Sequence, residues 1–282
     1  MIDLKQKWNK ITKKVSHKIN EWNQSNVTVP YLKISGHNRM INKVELLDFI
    51  EFENEYFRSK TPIIITKATV NWPCMSCRKW SIQYLLEKAS FRLVPIEIGS
   101  KYTDELWSQK IMALFDFIDM YILSSENGVG YLAQHNLFEQ ICDLSKDFLI
   151  PDYCATSDSD STSISNVDIN AWFGPSDTIS PLHTDPKHNM FVQVMGSKYI
   201  RLYSDQTPAE QIFPYEENLL SNTSKVDLEN INGELYNNFN QIDPTLIYEC
   251  ILNEGEMLYI PKQYWHYVKS LSVSFSLSFW WS

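Results

Sequence analysis

The 282-residue sequence predicts a mainly β fold with flanking helices, a double-sheet jelly roll, and three observations carry that expectation. Short strand-like runs separated by turn signals fill the chain from about residue 165 onward. Val273, Phe275, Leu277 and Phe279 alternate with Ser272, Ser274, Ser276 and Ser278, the period of two that a strand requires. The aromatic load is high, with 9 Trp, 15 Tyr and 14 Phe, which suits broad sheet interfaces.

From the N-terminus, Leu4, Trp8, Ile11, Val15, Ile19 and Trp22 recur at steps of three and four and draw one apolar stripe. Residues 1–28 therefore read as a helical lead segment. Lys5, Lys7, Lys10, Lys13, Lys14 and Lys18 occupy the remainder of its surface. The expectation is a stripe packed on the main body with solvated lysines; a membrane- or partner-binding basic helix is the alternative. Residues 29–282 read as one domain, helical and mixed over 29–150 and β-rich from about 165 to 282.

In the mixed part, Val44 to Arg58 reads as a helix and Pro62 to Thr66 as a buried strand. Trp80 to Lys88 is a short helix opened near Ser81, and Arg92 to Ile98 is a strand. Lys110 to Leu123 reads as a helix and Gly130 to Gln134 as a strand. Cys154 to Asp168 is rich in Ser, Asp and Thr and reads as an exposed loop. Met190–Val194 and Tyr199–Tyr203 flank Met-Gly-Ser and read as a hairpin, with Gly196 free to take positive φ. Cys250–Leu252 and Met257–Ile260 flank Asn-Glu-Gly-Glu and read as another. Ser204 to Thr245 is a long polar insert containing Pro208, Pro214 and Pro244.

The formal net charge of −9 argues against direct nucleic-acid binding, which needs a basic stripe, and suits a basic protein or peptide partner. The 5 cysteines are irregularly spaced and predict no disulfide framework, hence a reducing compartment. Cys74 and Cys77 form a C-x-x-C with no second pair to complete a zinc site. Neither a secretory signal nor an apolar run of membrane-spanning length is expected.

The chemistry centres on Pro181-Leu-His183-Thr-Asp185-Pro186. Residues i and i+2 of a strand share a face, so His183 and Asp185 can converge on one ion. H-x-D alone is a weak signal, and His266, in Tyr-Trp-His-Tyr, supplies the third ligand. Two His and one carboxylate on one face of an octahedral ion leave three positions open, the arrangement of non-haem iron(II) oxygenases. His188 lies beyond Pro186 and is expected to face elsewhere. Lys198 follows the H-x-D region on a strand; it either meets a bound carboxylate in the interior or points to solvent.

Asn170-Ala-Trp-Phe-Gly-Pro175, Ser180 to Pro186, Gly196 to Tyr203, Gly255 to Pro261, Trp265-His-Tyr-Val268 and the closing Ser274-Phe-Ser-Leu-Ser-Phe-Trp-Trp-Ser282 together resemble the JmjC-domain oxygenases, from about Tyr31 to Ser282. The resemblance implies a double-stranded β-helix of cupin type and a single JmjC catalytic domain. It implies iron(II) at His183, Asp185 and His266, with 2-oxoglutarate and O2 as co-substrates. It further implies 2-oxoglutarate held by Tyr131, Ser180 and Lys198 at its distal carboxylate, with Asn189 near the proximal one, and Glu97 and Trp172 lining a substrate pocket. A carboxylate and an indole suit a guanidinium. The implied activity is C-hydroxylation of arginyl residues in a protein substrate, with succinate and CO2 released, in the nucleus or cytoplasm. Lysyl demethylation of methyl-lysine is the first alternative, and a cupin-like module that only binds partners is the second. A zinc hydrolase would need a general base that the sequence does not single out.

Overall fold

The computed structural model describes residues 4–24, 39–124, 126–158, 166–216 and 219–282, with the side chains of the first helix described from 8 to 18. That helix, α1 (Leu4–Gln24), sinks the middle of its stripe into the body: Ile11 and Val15 are buried in one cluster with Leu85 and Leu86. Lys10 and Lys13 stay exposed, and Lys14 pairs with Asp119. None of the described helices is long and apolar enough to cross a membrane.

Next come β1 (Arg39–Met40), β2 (Lys43–Glu45), the single turn α2 (Phe49–Glu51) and β3 (Ile63–Thr66). The helix expected from Val44 begins only at Phe49, after the Asp48 carboxylate has capped the backbone N–H groups of Ile50 and Glu51. It continues as a π-helical stretch, Phe52–Phe57. Val44 is instead taken by β2, which pairs parallel to β3. Helix α3 (Ile82–Ala89) starts where Ser81 accepts a hydrogen bond from the Tyr84 N–H. Strands β4 (Leu93–Ile98) and β5 (Ser108–Ala113) pair antiparallel, so Lys110–Ala113 is strand and only Leu114–Phe117 (α4) and the π-helical Ile118–Ile122 are helical. Here pairing with β4 overrides the apolar spacing that suggested a helix.

After β6 (Gly130–His135), α5 (Leu137–Gln140) and α6 (Cys142–Ser145), the chain enters the β-rich core. It runs β7 (Asp168–Gly174), β8 (Ile179–Thr184), β9 (His188–Met195), β10 (Ser197–Tyr203), the short α7 (Ala209–Ile212), β11 (Ile247–Asn253), β12 (Met257–Ile260), β13 (Trp265–Ser270) and β14 (Ser274–Trp281). Five strands form one sheet in the order β1-β11-β10-β13-β8, and nine form the other, β2-β3-β12-β9-β14-β7-β6-β4-β5. From β7 to β14 successive strands change sheet at every step except β10 to β11, the winding of a double-stranded β-helix.

That winding corrects both expected hairpins. Gly196 does take positive φ, +71°, and a Cβ there would strike the Val273 carbonyl. Yet β9 pairs with β12 and β14, while β10 pairs with β11 and β13. The turn carries the chain from one sheet to the other. The turn between β11 and β12 does the same. The true antiparallel partners β10 and β11 are joined by the long insert, which is less polar inside than its composition suggests: Ile212, Val226, Leu228, Phe239 and Ile242 are buried against Leu182 and Tyr267.

The Ser/Asp/Thr-rich run is only partly within the described residues. Its start is not an exposed loop: Cys154 and Thr156 are buried, and the Trp281 indole N–H donates to the Thr156 hydroxyl at 3.3 Å. Residues 159–165 lie outside the described residues.

Candidate active site

His183 lies on β8 and His266 on β13, directly opposite each other in an antiparallel pair, with ring centroids 4.0 Å apart. Asp185 follows the end of β8, and its backbone carbonyl accepts the Gln263 N–H at 2.8 Å, which ties it to the turn leading into β13. One ligand atom from each of His183, Asp185 and His266 lies within 4.8 Å of the others. Separation in sequence is thus cancelled by one register.

The hydrogen bonds orient this cluster for a cation. His183 Nδ1 faces the Pro181 carbonyl at 2.7 Å and His266 Nδ1 faces the Tyr264 carbonyl at 3.1 Å. A carbonyl only accepts, so each Nδ1 carries a proton, which in the neutral ring leaves Nε2 its lone pair. Burial, reinforced by the neighbouring His183, pulls the His266 pKa down to about 4, so its imidazole is neutral at pH 7. Its Nε2 stands 3.6 Å from Asp185 Oδ2, a buried oxygen with no hydrogen-bond partner. Electron-rich atoms converge there, and a divalent cation satisfies them together.

At the other end of the cavity the charge is reversed. Lys198, the second residue of β10, is 0% exposed. Its ammonium donates to the Tyr131 hydroxyl at 3.1 Å and lies 5.2 Å from the Phe191 ring centroid. Among the described residues no carboxylate pairs with it. Burial alone draws its pKa down to about 7. Of the two sequence readings for Lys198, solvent and interior, the interior holds.

Ser180 reaches the same cavity through an irregularity. His183 pairs with His266, but Ser180 pairs with Val268, so β8 uses three steps where β13 uses two. The extra residue lets Ser180 and His183 face one way despite their odd spacing. Burial pushes the Tyr131 phenol up, and the nearby Ser180 hydroxyl partly offsets this.

Tyr131, Trp172, Ser180, Asn189 and Lys198 line this one cavity with the three metal-binding candidates. Asn189 Oδ1 is buried without a partner. The Trp172 indole N–H donates to Ser278 Oγ at 3.0 Å, which fixes the ring. Glu97 does not line the enclosed part. It sits on β4, paired in register with Tyr131, and burial raises its pKa while the adjacent Trp107 indole lowers it.

Sequence reasoning missed Phe191, Ile260, Val268 and Trp280, which also line the cavity. Phe191 lies two residues along β9 from Asn189, a spacing that could have found it. It also missed Tyr102, whose hydroxyl is 3.0 Å from Thr223 Oγ1 and whose pKa is pushed up to about 12 by burial, with Asp185 and Glu97 adding to the rise. His188 faces away, as expected. It packs on Phe57, bonds the Tyr259 hydroxyl at 2.9 Å and reaches Asp158 at 3.3 Å.

Comparison with known proteins identifies the family. The cupin-like domain family model matches residues 50–282. Lysine-specific demethylase 8 of Xenopus tropicalis is 44% identical over 242 residues, 86% of this chain and 53% of that protein. Lysine-specific demethylase 8 of Danio rerio is 49% identical over 232 residues, covering 82% and 55%. Jumonji C domain-containing protein 5 of Drosophila melanogaster is 39% identical over 236 residues, covering 82% and 57%. The chain spans about half the length of these relatives. With a family match over most of its length and such relatives, this chain belongs to the cupin-like domain family, among its JmjC members.

Proposed function

We propose that the chain is an iron(II)- and 2-oxoglutarate-dependent protein oxygenase that C-hydroxylates arginyl residues. One observation carries the oxygenase reading: the His183, Asp185 and His266 cluster and the buried Lys198 share one cavity. His183, Asp185 and His266 would hold the iron. Lys198 and the hydroxyls of Tyr131 and Ser180 would take one carboxylate of 2-oxoglutarate, and Asn189 would attend the other. When bound, iron(II) with 2-oxoglutarate supplies the oxidation, which consumes dioxygen and yields succinate, CO2 and a hydroxylated C–H bond.

The protein's own part is positional and electrostatic. The two Nδ1–H···O=C bonds hold the imidazole rings in the tautomer that binds metal. The Phe191, Ile260 and Val268 side chains keep the cavity apolar, which strengthens every charged contact inside it. The arginyl reading rests on Glu97 and the fixed Trp172 ring, a carboxylate in need of a cation and an indole suited to cover a guanidinium. The names of the relatives from Xenopus tropicalis and Danio rerio favour a second reading, removal of methyl groups from lysine.

The test is mass spectrometry of arginine- and methyl-lysine-containing peptides after reaction with iron(II), 2-oxoglutarate and ascorbate, with His183→Ala as control. Gain of one oxygen on arginine, absent in the control, is the expected result. Loss of a methylene from lysine replaces hydroxylation with demethylation. Failure to retain iron or form succinate in the folded protein refutes the oxygenase reading.

A further inference from the structure

The five-stranded sheet ends at β8, whereas the nine-stranded sheet continues through β6 to β4 and the edge strand β5. Register shows which side chains share its faces. Glu97 pairs with Tyr131 of β6 and with Gln109 of β5, Pro95 with Ile111, and Leu93 with Ala113. Directly opposed residues point the same way, and alternate residues of a strand share a face. Leu93, Pro95, Glu97 and Ile111 therefore stand on the face that carries Tyr131 into the cavity. Val94 and Ile96 point the other way, into the core beneath the helices.

On this outlying face Ile111 is 75% exposed and Leu93 is 57% exposed. Apolar side chains thus stand in water on the strand face that, further along β4, carries Glu97 beside Tyr131 of the cavity lining. The outer backbone groups of β5 face no other strand among the described residues. An open edge beside an apolar face is the geometry that receives an extended segment.

We propose that the overhang of β4 and β5 is a docking shelf for the substrate protein, whose residues flanking the modified side chain lie extended along it with an apolar side chain against Ile111 and Leu93. The proposal rests on the protein-oxygenase reading of the cavity. The spacing fits: the Pro95–Ile111 pair is one two-residue repeat from Glu97, about 7 Å, and an extended substrate has the same repeat. An apolar residue two to four positions from the target side chain then reaches the shelf.

The full chain, loaded with iron(II) and 2-oxoglutarate under argon so that nothing turns over, is challenged with 15-residue peptides. One library has arginine fixed at the centre and a second has alanine there; the flanks are random. Wild type, Ile111→Asp and Ile111→Leu are compared, each checked for an unchanged melting temperature. The expected retained pool is enriched in large apolar residues on one side of the centre. Retention falls about tenfold in Ile111→Asp and survives in Ile111→Leu. The same pool in Ile111→Asp, or no retained peptide in wild type, overturns the shelf. So does a wild-type dimer that Ile111→Asp dissociates, which makes the shelf a self-interface. Flank selection without preference for arginine sustains the shelf and sinks the arginyl reading; arginine preference with random flanks does the reverse.

Discussion

The two ends of the cavity handle charge in opposite ways. At one end, His183, Asp185 and His266 bring ligand atoms together in a partly buried cluster. At the other, Lys198 buries an ammonium with no anion beside it. Either arrangement alone destabilises the fold, because buried charge and buried lone pairs both want partners. Side by side they suit the ligand set proposed above, a metal ion at one end and a carboxylate at the other. The sign of each deficit identifies what completes it.

Removing the acceptor end is the harshest way to break this comparison. Asp185→Ala should abolish iron retention and reduce turnover by more than about 100-fold, read by metal analysis and succinate release. The fold should persist, since Asp185 sits past the end of β8.

Removing the cation end should separate the two. Lys198→Met is expected to keep iron while the KM for 2-oxoglutarate rises by roughly 10- to 100-fold, the loss of one charge-assisted hydrogen bond. The ligand-free protein should become more stable by about 1–4 kcal/mol, since an unpaired buried charge gives way to an apolar side chain of similar length. Urea unfolding of the two proteins checks this; lower stability of Lys198→Met would mean that the ammonium already has a partner.

The same residue gives a pH signature. Its pKa is about 7 when folded against an ordinary 10.5. Below pH 7 both states are protonated and the burial penalty is complete. Between pH 7 and 10.5 the unfolded state binds more protons, so this contribution to stability rises with pH. The stability gap between wild type and Lys198→Met should therefore narrow from pH 7 toward pH 10. A gap that stays constant would sink the assignment.

The mildest change is Tyr131→Phe, which removes the hydroxyl that receives the Lys198 ammonium. About a tenfold rise in the KM for 2-oxoglutarate is expected, the low end of the scale for one hydrogen bond to a charged group, with kcat little changed.

Residue spacing makes the His183 and Asp185 pair legible, and the limits are instructive. His183 and Asp185 sit on one short run, and strict alternation through Phe279 marks β14. Those are local patterns, and local patterns survive folding. Lys198 was undecided because its burial depends on which sheet covers β10. Ser180 could not be placed with His183 by alternation, since the extra residue in β8 is set by the partner strand. The hairpins failed for a related reason: turn chemistry at Gly196 specifies a sharp reversal, not the sheet that each arm joins. Lys110–Ala113 went to strand because β4 was waiting beside it. Glu97, Tyr131, Trp172, Ser180 and Asn189 come only from the family resemblance, and nothing in their neighbours' spacing singles them out.

The winding between sheets has a consequence for how the molecule forms. β14 occupies a central place in the nine-stranded sheet, between β9 and β7, and His266 comes from β13 just before it. During synthesis the metal pair His183 and Asp185 emerges long before its third partner, and the wide sheet stays split until the last strand inserts. Such long-range closure makes for slow folding, with apolar edges bare in the interim. Assembly of the three candidate ligands thereby waits until β13 has paired with β8.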